Sequence, residues 1–295
     1  MPRAIGVDVG GTAIKVCIAD ATGRLSEQRT VPTPHRVEDL VRTVAQQVAD
    51  LRAHDPGLPV GVAVPGVVDE RAGTVVLARN LGWRDVPVRD LLAGALGTDV
   101  VLGHDVRAGA LAESRWGAGA PDMLFVPIGT GIAAALVLGG RPWGTGYAGE
   151  IGQVLVPDPD GGAPVVLEQV ASAAALGRRY AARTGGVGAD GRGLFDQLRR
   201  GDQAAAAVLE QGVTALGTVL AGAVSLLGPV RVVVGGGLAG AGEDLLAPLR
   251  ARLAELLVVT PVPEVVPAAL GPWAGSLGAA ALALDATDPG DQERP

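Results

Sequence analysis

A single cysteine, Cys17, in 295 residues excludes an intrachain disulfide and a zinc site built on cysteine pairs of one chain. Lysine is equally scarce: Lys15 stands alone against 23 arginines, a bias of the kind that high-GC codon usage produces. Positive charge is in deficit, with a net charge of −7 and a pI near 5.0, which argues against a nucleic-acid or membrane surface as partner. No leader peptide is expected, since Asp8 interrupts the first apolar run and no basic segment precedes it. Residues 211–230 carry no charge but are rich in small and hydroxyl side chains and are broken by Leu227-Gly228-Pro229. That composition predicts a buried helix leading into a buried strand rather than a membrane span. What remains, 48% hydrophobic and 19% charged, suits a cytoplasmic globular protein of two domains.

The chain opens on "IGVDVGGTAIK" at 5–15, an apolar strand ending in an acid and a glycine pair. Neither the G-x-G-x-x-G dinucleotide fingerprint nor the G-x-x-x-x-G-K-[ST] loop fits it. Residues 4–9, 14–19 and 24–31 read as a β-meander, followed by a helix at 37–53 with Leu40, Val41, Val44, Val48 and Leu51 on one face. A strand at 60–64 stops at Pro65-Gly66, a helix spans 88–96, and a strand at 99–102 leads to His104-Asp105. This β-β-β-α-β-α-β order begins again: a shift of 119 residues lays 5–19 over 124–138, with Gly10 on Gly129. Helices at 167–184 and 203–227, a strand at 231–237, then a helix, a strand and a helix complete the prediction. The expected fold is α/β, two copies of one unit facing across a cleft, each with a glycine turn at the C-terminal tips of its strands. Cys17 and the four tryptophans are expected to be packing residues.

Four features carry the chemistry: Asp8 with Gly10, Gly11 and Thr12; Gly129-Thr130-Gly131; Gly235-Gly236-Gly237; and Asp105 before a helix. Two glycine-threonine turns suit a polyphosphate, held by backbone N–H and hydroxyl donors, and the bare Gly235 turn suits a nucleoside. Lys15 is either a phosphate contact or a solvated side chain. Asp8 and Asp105 can equally serve as turn and helix caps.

The ordered set "DVGGTAIK", "VPG" at 64–66, "IGTGI" at 128–132, "AGEIG" at 148–152, "VVGGG" at 233–237 and "AGSLGAA" at 274–280 resembles the ROK family of sugar kinases and repressors over essentially the whole chain. The resemblance implies the two-domain sugar-kinase fold, with actin-like, ribonuclease-H-like domains: a small one at 1–107, rejoined by a helix at 273–285, a large one at 108–272, and a flexible tail at 286–295. It implies ATP as phosphoryl donor, Mg²⁺ served by Asp8 through water, and Asp105 as the base that takes the proton of a sugar hydroxyl. The sugar site carries over to Gly66, Asn80, Leu81, His104, Asp105, Glu150, Gln153 and Glu168. A homodimer is compatible with the family's habit.

Three positions depart from the family. Its Asn-Asp pair is His104-Asp105, its sugar- and zinc-binding histidine is Gln153, and its cysteine cluster is absent between Gln153 and Glu168. No structural zinc is therefore expected. The expected activity is ATP-dependent phosphorylation of the 6-hydroxyl of glucose or of an aminodeoxyglucose such as kanosamine, whose amine His104 and Gln153 would accept. The alternatives are a sugar-binding regulatory pseudo-kinase and a repressor, which would need a helix-turn-helix ahead of residue 4.

Overall fold

The computed structural model describes residues 1–53, 55–186 and 190–287. They fall into two compact units, Met1–Gly117 with Leu136–Ala148 and the chain from Pro272 on, and Ala118–Ala135 with Gly149–Gly271. In the first, strands β1 (Arg3–Val9), β2 (Ala13–Asp20) and β3 (Leu25–Pro32) form the meander, and helix α1 (Val37–Arg52) leads to β4 (Val60–Val64). A small antiparallel sheet of β5 (Val67–Asp69), β6 (Thr74–Ala78) and β7 (Trp83–Val86) follows. Helix α2 (Val88–Leu96), β8 (Val100–His104) and α3 (Asp105–Trp116) come next. The main sheet has the order β3-β2-β1-β4-β8, in which β1, β4 and β8 are parallel.

Period-2 alternation divides the two faces of this sheet. Ile5, Val7, Val9, Val60, Val62, Val64 and Leu102 join Leu40, Val44 and Val48 of α1 and Leu92 of α2 in one core. Each such buried side chain contributes roughly 1.5–3 kcal/mol. The alternate positions are small, and for a reason: a Cβ on Gly6 or Gly61 would collide with the Ser276 or Ala279 carbonyl. Those carbonyls belong to the last helix, α9 below, so "AGSLGAA" is a packing motif that brings a helix backbone onto bare strand backbone.

The second copy begins at β9 (Met123–Pro127), β10 (Ala135–Leu138) and β11 (Arg141–Trp143). A hairpin of β12 (Leu155–Val156) and β13 (Val165–Val166) precedes helices α4 (Glu168–Ala171), α5 (Ala173–Thr184), α6 (Gly191–Arg199) and α7 (Gln203–Leu227). Strand β14 (Arg231–Gly235), α8 (Glu243–Leu256), β15 (Val265–Pro267) and α9 (Ala274–Thr287) end the described chain. The sheet order β11-β10-β9-β14-β15 repeats the order of the first sheet, a meander and then parallel strands, as the 119-residue shift implies. Helix α7 is the one described helix long and apolar enough to cross a membrane, and half of its most apolar window is buried in the protein, including Val208, Leu209, Leu216, Leu220 and Val224.

Several expectations need correction. The sheet β5-β6-β7 and helix α6 add elements that the sequence pattern does not predict. The helix at 167–184 is two, because Ser172 adopts extended backbone and its hydroxyl accepts the Ala175 N–H at 3.1 Å, capping α5. Strand β8 runs on to His104, and β14 stops at Gly235, followed by a 3-10 turn rather than an immediate helix. Trp143 is exposed, not packed. Cys17 is in the core, and burial pushes its thiol up to about 11. The tail expected from 286 lies, from 288 on, outside the described residues.

Candidate active site

Within the first unit, Gly10, Gly66 and Asp105 lie at the C-terminal ends of the parallel neighbours β1, β4 and β8. The β1–β2 register sets Asp8 opposite Lys15, with Lys15 Nζ 4.0 Å from Asp8 Oδ2. The Asp8 side chain is only 16% exposed. Burial pushes its carboxyl up, and the Lys15 charge opposes that shift. Gly275 at the start of α9 lies against it: a Cβ there would sit 2.7 Å from Asp8 Cγ. The turn beyond is closed by Gly10 N–H donating to the Ala13 carbonyl at 3.0 Å, leaving Gly11 and Thr12 exposed at its tip. The Thr33 hydroxyl donates to the Gly10 carbonyl at 2.7 Å and fixes the turn from outside. Asn80 stands beside it, 3.2 Å from the place a Gly11 Cβ would take, while Leu81 is buried below.

Asp105 opens α3, where the helix dipole favours a carboxylate. Its Oδ1 accepts the Val106 N–H at 2.7 Å, and His104 Nε2 lies 3.3 Å from the same oxygen. His104 is buried and caps α3, its Nδ1 accepting the Arg107 N–H at 3.4 Å. Burial, and then the Arg107 charge, hold the imidazole pKa down to about 3, so the ring is neutral at physiological pH. Glu70, on the β5–β6 turn, accepts both the His104 N–H and Arg107 Nε–H at 3.1 Å through Oε1. Neither Glu70 nor Arg107 was singled out in the sequence. The "DERAG" turn carried the only signal for Glu70, and a lone arginine after Asp105 carried none.

In the second unit the two remaining glycine turns lie together. Gly129 N–H donates to the Gly131 carbonyl at 2.9 Å, and Ala173 N–H of α5 donates to the Gly129 carbonyl at 2.9 Å. Thr130 is exposed between them. Ile128 N–H donates to Gly235 at 2.9 Å, while its own carbonyl accepts Leu238 N–H at 3.0 Å. Gly236, at φ 76, leaves no room for a Cβ against the Ile128 backbone, and Gly237 follows in the open. Glu168 sits under this group, its Oε2 2.9 Å from a Cβ placed on Gly131 and 3.4 Å from one on Gly152. Glu150 precedes the short 3-10 turn Ile151–Gln153, and Gln153 is exposed.

A model of the ROK family matches residues 4–286. This chain belongs to the ROK family. Glucokinase of Thermotoga maritima is 33% identical across 95% of this chain and 96% of its own length. Kanosamine kinase of Amycolatopsis mediterranei is 34% identical across 96% of each. The crystal structure of a ROK family glucokinase from Streptomyces griseus in complex with glucose and AMPPNP matches with a TM-score of 0.82 at 32% identity, covering 96% of this chain and 99% of that one. The fold is that of the ROK sugar kinases, an actin-like ATPase fold.

The geometry adds two findings at positions that the resemblance singled out. His104 Nδ1, the acceptor of the neutral ring, receives the Arg107 N–H at the start of α3. The segment without cysteines is held by ion pairs. Arg179 of α5 lies 3.6 Å from Asp158 and 2.9 Å from Asp160, and Arg183 lies 2.9 Å from Asp160. Both arginines also donate to Gln211 of α7, at 3.0 and 2.8 Å.

Proposed function

We propose that this ROK chain is an ATP-dependent kinase that phosphorylates the 6-hydroxyl of a glucose-like hexose, glucose itself or an aminodeoxyglucose such as kanosamine. The observation that carries the reading is the shared edge of the first sheet, where a glycine turn backed by Asp8 ends β1 and the carboxylate of Asp105 follows β8, with β4 between them. Ligands of α/β sheets gather at such edges. Gly11 and Thr12, with Gly129 to Gly131, supply N–H and hydroxyl donors to the phosphates, Lys15 adds charge, and the Gly235 to Gly237 turn takes the nucleoside.

Asp8 fits a magnesium ion. Among the described residues no three His, Cys, Asp or Glu side chains gather to hold a metal by themselves. A hard cation shared between one carboxylate, water and phosphate oxygens needs no such cluster. Mg²⁺ bound there would neutralise charge on the β- and γ-phosphates. Asp105 takes the proton of the 6-hydroxyl as that oxygen bonds to the γ-phosphorus, and the bond to the β–γ bridging oxygen breaks. The products are the sugar 6-phosphate, ADP and a proton. Asn80, Glu150, Gln153 and Glu168 orient the ring by hydrogen bonds to its hydroxyls, with Gly66 and Leu81 shaping the floor.

With His104 committed to its helix, recognition of an amine would fall to Glu150 by charge pairing and to Gln153 by its carbonyl. Use of ATP suits a cytoplasmic enzyme, and a homodimer is the assembly proposed. The test is kcat/KM for glucose, mannose, glucosamine and kanosamine with MgATP. Turnover of glucose or kanosamine to a 6-phosphate supports the reading; ATP hydrolysis that none of the four sugars stimulates overturns it in favour of a pseudo-kinase.

A further inference from the structure

Four side chains at the junction of β8 and α3 leave the phosphoryl-transfer account with an unexplained group. Arg107 is 4% exposed, its Nη2 has no hydrogen-bond partner, and its charge lies in a pocket with Glu70 and His104. A buried arginine is costly to maintain unless its field or its geometry is used. Here both act on His104. The Arg107 backbone N–H occupies Nδ1 at 3.4 Å, and Glu70 Oε1 holds the His104 N–H and the Arg107 side chain together at 3.1 Å each. Arg107 Nη1 reaches back to the Ala148 carbonyl at 3.5 Å, which anchors the other end of the guanidinium.

A neutral imidazole carries one proton on one nitrogen. Because Nδ1 accepts, the proton is on Nε2, and Nε2 lies 3.3 Å from Asp105 Oδ1. The same oxygen receives the Val106 N–H at 2.7 Å. One N–H bonded to that oxygen and an imidazole nitrogen 3.3 Å from it together restrict the rotation of the carboxylate about its Cβ–Cγ bond. We propose that His104, held as the Nε2–H tautomer by the α3 cap and by the Glu70–Arg107 pair, is a positioning residue that orients the carboxylate of Asp105 for proton abstraction. It is not a group that reads the sugar. The inference rests on the reading of Asp105 as the base.

The charged groups facing His104 are Asp105 and Arg107 of α3 and Glu70 of the β5–β6 turn. A protonated ring beside Arg107 would place two like charges in one buried pocket, so the arrangement keeps His104 a donor to Asp105 and not a second acid. His104→Gln and His104→Met separate the donor from the cap. Both lose the Nδ1 acceptor, so both lose similar stability, but glutamine can place an N–H where Nε2 was and methionine cannot.

The expected result is a kcat for His104→Gln about tenfold above that of His104→Met, at equal KM for sugar and ATP, since a hydrogen bond to a charged group is at stake. Equal kcat for the two variants overturns the inference while leaving the base intact, provided Asp105→Asn abolishes transfer; near-parental transfer by Asp105→Asn overturns the base reading and this inference with it. Should either His104 variant fail to fold, the parent protein decides alone. With only three histidines in the chain, ¹⁵N-histidine NMR resolves each ring. A neutral Nε2–H signature for His104 from about pH 5 to about pH 8 supports the inference, and an Nδ1–H ring, or one that titrates across that range, overturns it.

Discussion

Replacing Arg179 by alanine tests what holds the segment that has lost its cysteines. Its guanidinium, 12% exposed, lies 2.9 Å from Asp160, 3.6 Å from Asp158 and 3.0 Å from Gln211. An exposed ion pair is worth about 0.2–1 kcal/mol, and breaking a buried one costs about 3–5 kcal/mol. Asp160 is 54% exposed and keeps Arg183 at 2.9 Å, so the loss belongs near the lower range, at about 1–2 kcal/mol. For a protein of this size, with an unfolding entropy of roughly 0.6 kcal/mol/K, that lowers Tm by roughly 2–3 °C. The loop leads to Glu168 through β13 and the Leu167 N–H, which donates to Val154 at 2.8 Å, so KM for the sugar should rise more than kcat falls. Differential scanning calorimetry of parent and variant at low and high salt is the assay. High salt should shrink the difference, because screening weakens the pairs in the parent. EDTA should leave the parent Tm unchanged. A variant that melts within about 1 °C of the parent would refute the ionic staple, and a parent that loses stability in EDTA would show that a metal holds the segment.

Gly275→Ala should reduce ATP turnover about tenfold or more with little change in sugar affinity, because its Cβ, 2.7 Å from Asp8 Cγ, pushes the carboxylate away from the phosphate turn; unchanged kcat/KM for MgATP would count against that role for Asp8. Lys15→Met removes the charge that opposes the upward shift of Asp8. The ionised form is the active one, so the acidic limb of the kcat/KM profile for MgATP should move to higher pH, and a limb that stays in place removes Asp8 from the titration.

The sequence made most of the first unit legible because its signals were local. Helix α2 at Val88–Leu96 and helix α7 at Gln203–Leu227 end at the predicted residues, each set by its apolar pattern and a following glycine. The glycine turns were visible as motifs, and the repeat was visible as a shift. The sheet β5-β6-β7 was not, since its strands are three to five residues long and too short for alternation to register. Glu70 lies on that sheet's turn and was lost with it. The break at Ser172 was hidden inside an alanine-rich run whose helix propensity extends across it. The direction in which His104 points could not be read from residue type: the choice between sugar and helix depends on the Arg107 N–H, a backbone group that every sequence contains.

The measurement that bears most directly on the account is rapid-quench transfer of phosphate from MgATP to glucose or kanosamine by Asp105→Asn, with sugar and nucleotide binding followed by calorimetry. The asparagine keeps the size and the α3 position of Asp105 but cannot take the proton of the 6-hydroxyl. The account predicts a fall in the transfer rate of about a hundredfold or more, at ligand affinities within about threefold of the parent. Transfer within about tenfold of the parent, at unchanged affinities, would contradict it.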